Sequence, residues 1–208
     1  MTEKMRSLVQ AGYDKGRYAE TFRSDPAPTP FELRFLDLLC QHIPAGGRVL
    51  DLGSGTGIPY DRYLAARGYR LTGVDFSHKH IALARQSVPQ ATYVRGDVSQ
   101  VSFAPASFAA IVSFYAIFHL PRQEHAALFG KMHEWLAPQG LILVTLGARD
   151  SAYGEEADWT GAAMAWSSYA PDVYRQMLPG IGFTLREEGF EGAPGDEEYH
   201  YWLLAQKL

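Results

Sequence analysis

From Val49 to Gly57 the chain reads Val-Leu-Asp-Leu-Gly-Ser-Gly-Thr-Gly, a short apolar run holding one acid and then glycine at every second position. Glycine tolerates positive φ and leaves no side chain between the backbone and a ligand. A helix starting after such a turn adds unpaired N–H groups. Two further acids recur at equivalent places: Asp75 ends Arg-Leu-Thr-Gly-Val-Asp, and Asp97 follows Ala-Thr-Tyr-Val-Arg-Gly. An acid at the end of the second strand can accept hydrogen bonds from both ribose hydroxyls. One after the third can meet an adenine amino group, although after Gly96 it can equally be a turn former. Asp51, beside the turn, would repel a pyrophosphate and suits a cationic or amino-bearing ligand. Three strand-end acids around a glycine turn describe a site for a positively charged nucleoside. The nicotinamide fingerprint fits less well, because it needs glycine three positions after Gly55 and finds Ile58 there. A phosphate-gripping P-loop is excluded, since no Lys-Ser or Lys-Thr pair follows the turn. Ser54 and Thr56 can also serve only as helix caps.

These residues resemble the class I S-adenosylmethionine-dependent methyltransferases. The stretch from Val49 to Gly57 is similar to that family's glycine motif, Gly-Val-Asp-Phe-Ser (73–77) to its ribose-binding acidic motif, and Arg-Gly-Asp-Val (95–98) to its adenine-side motif. Residues 118–147 resemble the strand-four to strand-five region of its small-molecule branch, so the matching register runs from about 46 to 147. A subgroup of uncharacterised bacterial methyltransferases also shares the Gly12-Tyr13-Asp14 arm and the W-x-G-x-x-M-x-W-S stretch at Trp159 to Ser167.

The resemblance implies S-adenosyl-L-methionine as cofactor and S-adenosyl-L-homocysteine as its product. The residues it places on the cofactor are Asp51, Gly53, Ser54, Gly55, Gly57, Asp75, Phe76, Ser77, Asp97, Val98, Ser113, Phe114 and, from the arm, Tyr18. The loop after strand four faces the reacting methyl in this family, which makes His119 the candidate base and Tyr115 a candidate acceptor contact. Each has a plainer reading: His119 can orient the loop before Pro121, and Tyr115 can line the cofactor pocket. Transfer from a sulfonium is an in-line displacement with a neutral leaving group, so alignment and exclusion of water dominate. A base helps only where the acceptor has a proton to lose. Several motifs of other family branches are absent. There is no Asp/Asn-Pro-Pro-aromatic motif, no Pro-Cys nucleophile, no metal-binding aspartate and no glutamate pair after strand four. The acceptor expected is therefore a small molecule. Tyr13, Trp159, Met164 and Trp166 are expected to line its site, each with core packing as the alternative.

The elements that must carry these residues alternate. Apolar runs at 48–52, 69–75, 91–97, 108–114 and 141–146 read as strands. Helical stretches at 58–67, 78–87 and 123–136 separate them, and a further helix over Phe31–Leu39 precedes the first strand. The Ser24–Pro30 segment, with three prolines, reads as an extended linker. A helix over Asp172–Pro179 and two closing strands joined by a Gly/Pro turn suggest a hairpin at one sheet edge. The fold class expected is α/β, a Rossmann-like doubly wound seven-stranded sheet with an antiparallel last strand. One domain is expected over 1–208: an arm over the site (1–30), a cofactor-binding core (46–147), a lid-like insertion (150–170), and a C-terminal helix and hairpin (171–208).

Composition fits this reading. The chain has 208 residues, 47% hydrophobic and 20% charged, with net charge −4. No basic excess points to nucleic acid or an anionic membrane. The single cysteine, Cys40, excludes an internal disulfide. The histidines show no metal-ligand spacing, so no metal is expected. The first ten residues lack the apolar core of a secretory signal, and a cytoplasmic monomer or homodimer is the expectation. Two rivals remain open: a nicotinamide-dependent oxidoreductase on the same sheet plan, and a non-catalytic nucleoside-binding module.

Overall fold

The computed structural model describes residues 2–17, 27–196 and 199–208. The apolar runs become seven strands of one sheet: β1 (Arg48–Leu52), β2 (Arg70–Asp75), β3 (Thr92–Arg95), β4 (Phe108–Ser113), β5 (Leu136–Gly147), β8 (Phe183–Glu191) and β9 (His200–Lys207). Their order is β3-β2-β1-β4-β5-β9-β8; β1 to β5 are parallel, and β9 lies antiparallel between β5 and β8. Two more strands, β6 (Ser151–Trp159) and β7 (Ala162–Ser168), pair only with each other. The helices are α1 (Thr2–Lys15), α2 (Pro30–His42), α3 (Tyr60–Ala66), α4 (His78–Ser87), α5 (His125–Trp135) and α6 (Pro171–Ile181). None is long and apolar enough to cross a membrane among the described residues.

Strand periodicity divides the core in two. Leu50, Leu52, Ile111, Ile142 and Val144 pack with Phe129, Met132, Trp135 and Leu178, while Val49, Ala110, Val112 and Leu143 pack with Phe35, Leu36, Leu39 and Leu64. Both faces of the central strands are thus buried, which is why their sequences are almost continuously apolar. Strand order reverses at β1, whose neighbours are β2 on one side and β4 on the other. That switch point leaves a crevice at the carboxyl ends of the strands.

Element ends follow local chemistry. A capping box closes α2, with Thr29 accepting from the Glu32 N–H and Glu32 accepting from the Thr29 N–H. Ser77 caps α4 through the His80 N–H. Gly182, at φ 105, ends α6.

Several expected boundaries move. The helix expected from Ile58 begins at Tyr60 with Pro59 as its N-cap, so Ser54 and Thr56 cap nothing. β5 begins at Leu136, ahead of the expected Leu141, and absorbs Pro138 and Gly140 by a register shift against β4. The expected lid over 150–170 is the β6–β7 hairpin, with α1 packed on it through Met5, Val9, Tyr13, Met164 and Ala165. The closing hairpin at the sheet edge is present as β8 and β9. Residues 24–26 of the expected linker lie outside the described residues, and its end is already helical, with Thr29 as the N-cap and Pro30 as the first residue of α2.

Asp61, in the first turn of α3, is fully buried; it accepts the Tyr93 hydroxyl at 2.8 Å and hydrogen-bonds with Asp51. Burial pushes its carboxyl up to about 6. A carboxyl whose folded value exceeds its unfolded value of 3.8 stabilises fully below that value, and the contribution is lost as pH rises through about 6. Asparagine does not titrate. Asp61→Asn should therefore gain on wild type by on the order of 2 kcal/mol between pH 4 and pH 8, measured by urea unfolding at both. An equal gap at the two pH values contradicts this account.

Candidate active site

β1 delivers the chain into the glycine turn, which is tied to β2 by the Gly53 and Ser54 N–H groups donating to the Val74 carbonyl at 2.7 and 3.0 Å. Gly53 sits at φ +84, and a Cβ there would lie 2.3 Å from the Cβ of Ala116. Gly55 sits at φ +52 with nothing within 4 Å of a Cβ position, so its face opens into the crevice. Its N–H donates to Asp75 Oδ2 at 3.0 Å, while Asp75 Oδ1 accepts the Ser77 N–H at 2.8 Å. A carboxylate offers about four lone-pair sites, so these two bonds hold Asp75 in place without exhausting it.

The crevice is a cleft of about 150 Å³ lined by Gly53, Gly55, Asp75, Phe76, Asp97, Val98 and Phe114, and closed on one side by Arg6, Val9, Gln10 and Tyr13 of α1. Arg6 clasps the helix down. Its Nε reaches Asp97 Oδ2 at 3.2 Å, and its terminal nitrogen reaches Ser99 Oγ at 2.9 Å and the Glu124 carboxylate. At the other end of α1, Asp14 accepts the Ser77 hydroxyl at 2.8 Å.

Next to the cleft is a cavity of about 770 Å³ with Phe118, Trp159, Trp166, Tyr199, His200, Glu32 and Glu191 in its walls. Tyr13, Tyr115 and His119 line both spaces. His119 Nδ1 lies 2.8 Å from the Ala165 carbonyl, and Nε2 lies 2.8 Å from the Tyr13 hydroxyl. A carbonyl only accepts, so Nδ1 carries the proton and Nε2 accepts from Tyr13. Burial lowers the imidazole to about 4, which keeps it neutral at physiological pH. Tyr115 has left-handed backbone (φ 55) and directs its hydroxyl to Glu191 Oε2 at 2.5 Å, with Glu32 Oε1 at 3.2 Å. Burial, reinforced by nearby Tyr60 and these carboxylates, drives the phenol pKa far up.

The structure gathers Gly53, Gly55, Asp75, Phe76, Asp97, Val98 and Phe114 on the cleft, and Tyr13, Tyr115, His119, Trp159 and Trp166 on the cavity. Other expected residues stand elsewhere. Asp51, 3% exposed, sits behind the turn with Asp61. Ser54 is buried within the turn, and Gly57 packs against the Tyr93 hydroxyl. Ser77 is a buried helix cap, and Ser113 donates to the Leu52 carbonyl at 2.6 Å, tying β4 to β1. Met164 is fully buried beneath α1 instead of facing the cavity. Asp97 borders the cleft, but its carboxylate is engaged by Arg6 and the Ser99 N–H, as a turn former would be. Tyr115 lines both spaces, as either of its readings requires, with its hydroxyl donated to Glu191. Tyr18 lies outside the described residues.

Sequence reasoning missed Arg6, Val9 and Gln10 on the cleft, and Glu32, Glu191 and His200 on the cavity. The spacing of Met5, Val9 and Tyr13 by four is the one signal that marks an apolar face on α1.

A family model described as a methyltransferase domain matches residues 49–140. An uncharacterised methyltransferase of Synechocystis sp. is 32% identical over 149 residues, covering 71% of this chain and 68% of the relative. The chain spans under half of two other curated relatives it matches, 42% and 43%. The 1,6-didemethyltoxoflavin-N1-methyltransferase of Burkholderia thailandensis, solved with 1,6-didemethyltoxoflavin and S-adenosylhomocysteine, has a TM-score of 0.75 at 17% identity over 100% of this chain and 90% of that one. The magnesium protoporphyrin IX methyltransferase of Synechocystis PCC 6803, with bound S-adenosylhomocysteine, has a TM-score of 0.73 at 17% identity over 98% of this chain and 100% of that one. At such identities the likeness to both structures is one of fold.

The two cleft glycines should differ in cost. Gly55→Ala meets only the left-handed backbone penalty, about 1–2 kcal/mol. Gly53→Ala adds displacement of Ala116, a further ~1–3 kcal/mol of overpacking. Urea unfolding of the two variants checks this, and equal losses contradict the packing described.

Proposed function

This chain belongs to the class I S-adenosylmethionine-dependent methyltransferases, and from that premise we propose that it methylates a small molecule seated in the larger cavity. The observation that carries this reading is the junction of two spaces, a glycine-and-acid cleft at the strand ends and an aromatic cavity beside it, meeting at Tyr13, Tyr115 and His119. Both structural neighbours described above are named for small-molecule substrates.

The cleft residues fit the cofactor. Gly55 leaves the approach open, and Asp75 keeps acceptor capacity for ribose hydroxyls. Phe76 and Val98 supply apolar faces for a base, while the engaged Asp97 acts mainly through the backbone it shapes. When bound, S-adenosylmethionine supplies an electrophilic methyl on a sulfonium. The protein's part is to orient the acceptor against Tyr13, Trp159 and Trp166, to exclude water beneath α1 and the hairpin, and to hold a neutral imidazole at the junction.

Calorimetry with S-adenosylhomocysteine tests the reading. Wild type should bind it, and Asp75→Ala should weaken binding by about 1–3 kcal/mol, the worth of hydrogen bonds to a charged group. Absence of binding to wild type at millimolar ligand overturns the proposal.

A further inference from the structure

Resting on that reading, we infer that Tyr13 and His119 form a proton relay to the acceptor, and that the acceptors are aromatic molecules whose methylated atom carries an ionisable proton, a phenolic hydroxyl or a ring N–H. Three residues line both spaces, and the hydroxyl of one of them, Tyr115, is committed to Glu191. The remaining two are bonded to each other at 2.8 Å.

Their protons point one way. Nδ1–H of His119 donates to the Ala165 carbonyl, so Nε2 accepts from Tyr13. Tyr13 has one proton and gives it to Nε2, so toward any other group its oxygen can only accept. An acceptor hydroxyl or N–H placed against Tyr13 therefore completes a chain that ends on an imidazole nitrogen. As the acceptor atom bonds to the methyl carbon, the methyl–sulfur bond breaks and its electron pair stays on sulfur. The acceptor's proton passes to the Tyr13 oxygen, and the Tyr13 proton passes to Nε2. The products are the methylated acceptor and an imidazolium, steadied by the Ala165 carbonyl on Nδ1, which returns its proton to solvent as the site opens. Burial keeps the imidazole neutral beforehand but makes it a weak base, so it takes the proton only as methylation makes the acceptor atom strongly acidic. Carboxylates and thioethers have no proton to lose, and for them the relay would be idle.

The walls select the rest of the molecule. Trp159 and Trp166 lie 6.5 Å apart, Tyr13 meets Trp159 edge-on at 5.9 Å, and Phe118 stacks on His200 at 5.5 Å. Such surfaces favour flat aromatic ligands.

The same hydrogen bond also staples α1 to the hairpin, so the experiment separates the two roles. Methyl transfer is measured for wild type, Tyr13→Phe and His119→Gln on phenols graded in acidity from 4-methylphenol to 4-nitrophenol, with benzoate and thioanisole as proton-free controls. Expected is transfer to phenols over both controls, with each variant losing on the order of 10²–10⁴-fold in kcat on the least acidic phenol. The loss should shrink toward 4-nitrophenol, which is largely ionised at the assay pH, whereas weakened closure by α1 would lower kcat equally for every phenol. A uniform loss across the series, or preferred transfer to a control, overturns the inference. Should no probe turn over, calorimetry of the S-adenosylhomocysteine-loaded protein with 1-naphthol and its methyl ether decides. Expected is at least tenfold tighter binding of the naphthol, a preference lost in Tyr13→Phe; equal or no binding overturns the inference. Failure of S-adenosylhomocysteine itself to bind would instead remove the functional reading beneath it.

Discussion

The Asp75 carboxylate accepts one N–H from Gly55 and another from Ser77, and through these bonds a single acid sets the glycine turn and the start of α4 relative to each other. Both segments leave the sheet at the same level, where β1 and β2 end side by side. The turn's other hold on β2 is the Val74 carbonyl, which accepts from the Gly53 and Ser54 N–H groups. The Asp75 carboxylate thereby fixes the Gly55 and Ser77 sides of the cleft relative to each other.

The second half of the site is made by elements distant in sequence. α1 crosses to the β6–β7 hairpin and presents Tyr13 to His119, while insertion of β9 between β5 and β8 brings His200 and the end of β8 to the cavity. These covering elements meet the strand-four loop at Tyr13, Tyr115 and His119, which line both spaces. Burial there is nearly complete, which fixes the imidazole's protonation state as firmly as its hydrogen bonds fix its tautomer.

How much of this is legible in sequence depends on whether the signal is local. The five parallel strands announce themselves as apolar runs, and Asp75 and the glycines as strand-end chemistry. β6 does not, because most of its residues are exposed and its sequence is polar. Its turn, Thr160-Gly161, has positive φ at both positions, as a two-residue hairpin loop requires, yet threonine is a poor advertisement for that conformation. Met164 belongs to an aromatic-rich segment and still packs in the interior, since composition cannot say which face of a strand is covered. Asp97 shows the opposite problem: its position is legible, but its engagement depends on Arg6, ninety-one residues earlier. Glu191 and His200 reach the site by tertiary placement alone.

The Arg6 clasp bears on the traffic of molecules through the enzyme. The cleft beneath it holds about 150 Å³, less than the several hundred usual for a ligand pocket. What keeps it narrow is α1, held down by ion pairs from Arg6 to Asp97 and Glu124 that are part-exposed and open to screening by salt. The depth of that enclosure thus rests on a few charges about one arginine, and raised ionic strength loosens the same contacts that make the cleft small.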